Sequence, residues 1–186
     1  EEMPLADAET QARIKKAMGK KPDIITGDIF NILNNWEDGG ERVYNIETQD
    51  DETLKVSYNK KGSAWGYMLR SFTVRDISKF NKLVVGLHGN ATLIIKMEDL
   101  KGQPIGEIKI GLSGNTKQVY EWDLRPLKSK LTNIGKILIF AAPSEAQGKG
   151  TFYIDKLEYS VQKPTKNVIY SGEFKGDDGK TNIYNG

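Results

Sequence analysis

Hydrolytic chemistry by general acid and base needs two carboxylates that face one another across a cleft. Glu98, Glu107 and Glu121 are available for that role, but none stands in a recognisable catalytic order. Ser63, Ser71 and Ser113 lack the strand–turn–helix setting of a nucleophile elbow. His88 is the single histidine, which excludes paired-histidine zinc motifs, and the absence of cysteine excludes disulfides, thiolate metal sites and a cysteine nucleophile. There is no Walker loop and no dinucleotide fingerprint. What remains is the chemistry of contact, in which flat rings stand beside polar groups.

Trp65 is the foremost ring of this kind, because it follows Lys60-Lys61-Gly62-Ser63 and its neighbours Ala64 and Gly66 are too small to cover it. Tyr67 is next. Strand alternation extends the set. If Leu83, Val85 and Leu87 point inward, His88 points outward; Lys96 and Glu98 follow by the same phase, and Arg70 is outward if Leu69 is buried. Arg70, His88, Lys96 and Glu98 would then form one polar sheet face, with cations to donate and Glu98 to accept hydrogen bonds. The plain alternative for each is a solvated face with cross-strand charge pairs. Trp122, in phase with Tyr120 and Leu124, and Trp36 are expected in the core.

These side chains need strands to position them. Apolar residues two apart recur at Leu54-Val56-Tyr58, Leu83-Val85-Leu87, Leu93-Ile95-Met97, Ile108-Ile110, Tyr120-Trp122-Leu124, Ile137-Ile139 and Phe152-Ile154. That is the period of a half-buried strand. Turn residues separate them at Asn59 to Gly62, His88-Gly89-Asn90, Lys101 to Pro104, Ser113-Gly114-Asn115 and Gln147 to Gly150. The pattern predicts an all-β chain built as a two-sheet antiparallel β-sandwich, with one short N-terminal helix over Asp7 to Met18 stopped by Gly19 and Pro22. The expected division is a helical extension over 1–23, the sandwich over 24–162 and a tail over 163–186. In the tail, Asp178-Gly179 followed by Ile183-Tyr184-Asn185 echoes Asp38-Gly39 followed by Val43-Tyr44-Asn45 at an offset of 140 residues. The tail could therefore open a second, similar module, or the echo could be two unrelated Asp-Gly turns.

With 186 residues, 38% hydrophobic, and a net charge of +2 spread over mixed lysines and acids, the chain has a core of ordinary size and no basic stripe. Nucleic acid is thus not an expected partner. No apolar run reaches membrane-spanning length, so membrane insertion is not expected, and Glu1-Glu2-Met3-Pro4 does not resemble a signal peptide.

Three stretches, taken in order, resemble the galactose-binding-like jelly-roll sandwich of the carbohydrate-binding modules found in multi-modular glycoside hydrolases. They are Asn35-Trp36-Glu37-Asp38-Gly39, the crossover Arg75-Asp76-Ile77-Ser78-Lys79-Phe80-Asn81-Lys82-Leu83, and the closing Phe152-Tyr153-Ile154-Asp155-Lys156-Leu157. The resemblance spans roughly Asp28 to Ser160. It implies a non-catalytic, secreted or cell-surface module that holds polysaccharide or oligosaccharide near a catalytic domain elsewhere in the same chain. It also implies a structural calcium shared by Glu37, Asp38 and Asp155, the carboxylates of the opening and closing strands. On that reading Trp65 and Tyr67 would stack on sugar rings while Arg70, His88, Lys96 and Glu98 bond the hydroxyl groups. The rival expectation is a spacer or docking module with no sugar site, and a weaker one is the C-terminal part of a hydrolase.

Overall fold

The computed structural model describes residues 21–60, 66–142, 148–176 and 181–183. Trp65 and the helix expected over Asp7 to Met18 lie outside these residues, as does most of the Asp178 to Asn185 echo. The described chain is a β-sandwich of twelve strands, as the alternation predicts. Its helical element is a 3-10 helix over Arg125–Asn133, opened by Pro126 and anchored by buried Leu127 and Leu131.

The strands are β1 (Ile29–Asn31), β2 (Glu37–Gly40), β3 (Tyr44–Thr48), β4 (Leu54–Asn59), β5 (Gly66–Ser71), β6 (Lys82–Asp99), β7 (Pro104–Asp123), β8 (Ile134–Ala141), β9 (Lys149–Ser160), β10 (Val168–Ile169), β11 (Glu173–Lys175) and β12 (Thr181–Ile183). One layer runs β2-β5-β8-β6-β7-β11-β12, and the other joins β3, β4 and β9, with β1 also on β9, to the first half of β6. Buried residues of both layers, among them Val56, Phe152 and Leu157 on one side and Met68, Ile95 and Ile139 on the other, form one core cluster.

The layers are hydrogen-bonded into one continuous sheet, and the reason lies in two glycines. His88-Gly89-Asn90 and Ser113-Gly114-Asn115 read as hairpin turns, yet the chain passes through both, so that β6 spans 18 residues and β7 spans 20. Gly89 (φ +127°) and Gly114 (φ +115°) pair with each other across the ribbon. These backbone angles suit glycine alone, and they bend both strands where β6 exchanges β9 for β8 as its neighbour. A Cβ on Gly89 would come within 2.7 Å of the Phe152 Cα. The sequence therefore signals a bend of a long ribbon where a turn was expected.

Two of the three family-like stretches hold the backbone by short-range bonds. Asp76 Oδ1 accepts from the Ser78 amide (2.9 Å) and hydroxyl (2.6 Å), which turns the chain so that Ile77 and Phe80 enter the core. Trp36 packs on the core edge and donates its indole N–H to the Ile32 carbonyl at 2.7 Å. Trp122 is fully buried, as its phase requires.

Past residue 162 the chain stays on the sheet. Val168 and Ile169 pair in parallel with Glu121 and Trp122, and Phe174 and Lys175 pair in parallel with Lys109 and Ile110. No helix among the described residues is long and apolar enough to cross a membrane.

Candidate functional site

The outer face of the β2-β5-β8-β6-β7-β11 layer carries a row of residues aligned across six strands. Gly39 pairs with Tyr67, and the pairing of Met68 with Ile139 sets Tyr67 opposite Phe140. Phe140 pairs with Ile94, Ile94 with Lys109, and Lys109 with Phe174. At about 4.8 Å per strand, Tyr67 and Phe174 stand roughly 19 Å apart along the sheet.

The rings at the two ends lie down because glycines make room for them. A Cβ on Gly39 would fall 2.5 Å from the Tyr67 ring, and one on Gly111 would fall 3.2 Å from the Phe174 ring. Phe174 also receives Lys109, whose Nζ stands 5.4 Å from the ring centroid. Between the ends, Phe140 is half-buried and Ile94, although on the outer face, is only 2% exposed. Leu138, in the next row between Leu69 and Lys96, is equally well covered.

Beside the apolar strip stands a carboxylate held between two ammonium groups. Glu98 receives Lys96 at 3.4 Å and Lys136 at 3.5 Å on its two oxygens, and its side chain is largely covered. The combination of flat apolar surface and fixed donors and acceptors suits a polyhydroxylated ring compound, whose C–H face stacks and whose hydroxyls bond the charged groups.

Lys96 and Glu98 are brought together as the alternation requires, Tyr67 joins them because it shares the outward phase of Leu69, and Phe140 and Lys136 complete the group. The phase of Ile137-Ile139 places both of these outward, on a strand that no turn signal singles out. Phe174 lay in the segment read as tail.

Arg70 is a correction. It faces inward and is 1% exposed, because in β5 it is Gly66, Met68 and Arg70 that share the buried phase while Leu69 faces out beside Leu138. Its guanidinium donates to Asp23 Oδ1 (2.7 Å), the Asn34 carbonyl (3.0 Å), Asn34 Oδ1 (3.1 Å) and the Ser71 carbonyl (3.2 Å), and lies over the Phe30 and Phe72 rings. Asp23 accepts further bonds from the Thr73 amide and hydroxyl. Burial pushes the Asp23 carboxyl upward, but the Arg70 and Thr73 bonds and the Arg70 charge outweigh it and hold the group below the ordinary carboxylate range.

His88 does point outward, but from the other layer. Its imidazole lies parallel to the Tyr153 ring, with centroids 4.3 Å apart, and its Nδ1 is 2.8 Å from Asp155 Oδ2. Lys117 stands 3.9 Å from the other Asp155 oxygen, and Gln49, Asp50 and Asp51 complete a shallow pocket of about 400 Å³. Asp155, on β9, therefore belongs with His88 of the neighbouring β6, whereas Glu37 and Asp38 lie on β2 beside β5, in the opposite layer. The strand that does pair with β9 at the opening of the sandwich is β1. Asp38 accepts from the Tyr44 amide. Among the described residues no three histidine or acidic side chains are grouped so as to hold a metal ion.

A larger cleft of about 590 Å³ lies beside Trp36, with Asn31, Asn34, Asn35, Thr48 and Glu52 among its lining. Its amides are engaged within the fold: Asn35 exchanges two bonds with the Lys21 main chain, and Asn34 Oδ1 accepts from the Arg70 guanidinium.

No protein-family model matches the chain, and no curated protein sequence matches it. Its fold is shared with solved structures. A family 11 carbohydrate-binding module of a cellulosomal cellulase of Clostridium thermocellum superposes with a TM-score of 0.51 and 18% identity, over 80% of this chain and 98% of that one. A family 29 carbohydrate-binding module matches with a TM-score of 0.52 and 11% identity, over 70% of this chain and 84% of that one. A GH50-type agarase, AgWH50C, matches with a TM-score of 0.61 and 10% identity, over 74% of this chain. The chain spans about a quarter of the agarase chains it matches. What is common to all of these is the jelly-roll sandwich, which here stands as a whole module in one setting and as part of a larger enzyme in another.

Proposed function

We propose that this chain is a non-catalytic carbohydrate-binding module whose site is the outer face bearing Tyr67, Phe140, Ile94, Lys96, Glu98 and Lys136. The observation that carries the reading is the row of rings laid across evenly spaced strands, with a largely covered, doubly paired carboxylate beside it. Such a row is long and shallow, which fits an extended oligosaccharide better than a single sugar. Solved structures of this fold include carbohydrate-binding modules matched over most of their length, which supports the same reading.

In this reading the face contributes weak, additive stacking, and function comes from tethering. A module that holds polysaccharide raises the effective substrate concentration at a catalytic domain in the same secreted or cell-surface chain, so modest affinity suffices. No acid–base pair is required of it: Glu98 is neutralised by Lys96 and Lys136, and Glu121 is committed to Lys82 and to main-chain amides.

The test is a glycan array covering agar-type galactans, β-glucans, xylan and mannan, followed by titration calorimetry with any hit for the wild type, Tyr67→Ala and Phe140→Ala. Binding that weakens in both variants supports the site. A silent array for the wild type overturns the reading in favour of a spacer or docking module.

A further inference from the structure

Residues 163–176 do more than leave the sandwich. We propose that this segment adds a strand to the sugar-binding face, that it supplies Phe174 as the outermost aromatic ring of the row, and that ligand binding is thereby coupled to its docking. The inference rests on the reading given above and extends it.

The segment is built onto β7 by contacts along its whole length. Glu121, paired with Lys82, accepts from the Thr165 and Lys166 amides at 3.1 and 2.8 Å through its Oε1. The Asn167 side-chain amide donates to the Val119 carbonyl, and Val168 and Ile169 continue in parallel register. Ile169 is fully buried. The fully buried Trp122 donates its indole N–H to the Ser171 hydroxyl at 3.0 Å, and the Gly172 amide donates to the Glu107 carbonyl. Two glycines of β7 leave space for it: a Cβ on Gly106 would fall 2.9 Å from Ser171 Oγ, and one on Gly111 would meet Phe174.

A segment needed only to cover the sheet edge would have no reason to place a ring in register with Tyr67, Phe140 and Ile94. Phe174 is in that register, and the missing side chain of Gly111 leaves room for its ring on the outer face. A ligand that stacks on it must bind the docked segment more tightly than the undocked one, and by reciprocity binding stabilises docking.

Because Phe174 is the ring farthest from Tyr67 along the row, its contribution should depend on ligand length. The experiment uses the full chain as wild type, Phe174→Ala, Phe174→Tyr and Gly111→Val, with Tyr67→Ala as the reference variant. Each is titrated with di- to hexasaccharides of an agar-type galactan and of a mixed-linkage β-glucan. The expected result is a loss of about five- to tenfold for Phe174→Ala on the longest binding oligosaccharide, of the size of one aromatic contact, with little change on the shortest. Phe174→Tyr should restore affinity, Gly111→Val should mimic the alanine variant, and saturating hexasaccharide should slow hydrogen exchange at the Glu173 to Lys175 amides. Equal losses at every length would mean a merely structural part for Phe174 and overturn the inference. Wild-type affinity in Phe174→Ala beside weakened Tyr67→Ala would overturn it and leave the proposed function standing. No binding by the wild type would overturn both.

Discussion

The ring of Tyr67 rests on the bare backbone of Gly39, so closely that a Cβ at Gly39 would stand 2.5 Å from the ring and 2.6 Å from Leu69 Cδ2. Gly39 belongs to the Asp38-Gly39 pair that reads as a turn signal, yet here it is a strand residue of β2. Its value lies in the side chain it lacks.

Substituting Gly39→Val would lift the Tyr67 ring off the face without touching any polar group of the site. Affinity for the oligosaccharide should fall about five- to tenfold, the equivalent of roughly one aromatic contact of ~1 kcal/mol. Calorimetry on Gly39→Val beside Tyr67→Ala checks this. A valine variant that binds as well as the wild type would show that the position of Tyr67 is immaterial.

Glu98 tests the polar half of the site. Its two ion pairs are partly exposed, and pairs of that kind contribute ~0–1 kcal/mol to folding, so Glu98→Gln should melt within a few degrees of the wild type. Binding should suffer more than stability. The amide keeps an acceptor but frees Lys96 and Lys136, and the expected loss is about threefold or greater, with a steeper dependence on salt. Titration at low and high ionic strength, together with a melting curve, separates the two effects.

The elements of the sandwich were legible because strand alternation is a local property: Leu54 to Tyr58, Leu83 to Leu87 and Phe152 to Ile154 bury the residues their phase assigned. Lys96 and Glu98 share a face for the same reason. What alternation alone cannot supply is which layer a strand half joins. His88 and Lys96 lie on one strand with one phase, but the bend at Gly89 sends them to faces of different layers. Arg70 failed for a related reason. In β5 the large apolar Leu69 faces outward into the apolar strip, and the inward charge is satisfied by Asp23, a residue 47 positions away that no periodicity can link to it. Phe174 was hidden because parallel pairing onto β7 leaves no turn signal to announce it.

The Asp23–Arg70 pair sets an acid limit on stability. Both side chains are nearly inaccessible, at 3% and 1% exposure, so removing one partner strands a buried charge. Asp23→Ala should cost ~3–5 kcal/mol, and a double variant with Arg70→Met should regain much of it. The sign with pH follows from the lowered Asp23 value in the folded state. The stabilisation is complete above the ordinary carboxylate range, near pH ~4, and is lost as pH falls through the lower folded value. Denaturation at pH 7 and at pH 3 checks this. The wild type should lose stability between the two, and the double variant should lose less.

The stacked pair of His88 and Tyr153 offers a control that decides between the two layers. Both rings belong to the layer of β9, on the far side of the bend from Tyr67 and Phe140, and Asp155 fixes the imidazole at 2.8 Å. If the sugar lies on the β5-β8-β6-β7-β11 face, His88→Ala should leave affinity unchanged within experimental error while lowering stability by about 1 kcal/mol, as the loss of one ring contact and one hydrogen bond would. Phe140→Ala should do the reverse, weakening binding at a modest cost in stability, because Phe140 is only half-buried. Calorimetry and thermal melts on the two variants, made side by side, give a crossed pattern under this assignment. A His88→Ala variant that loses binding while Phe140→Ala retains it would move the site to the pocket bounded by Gln49, Asp51, Lys117 and Asp155.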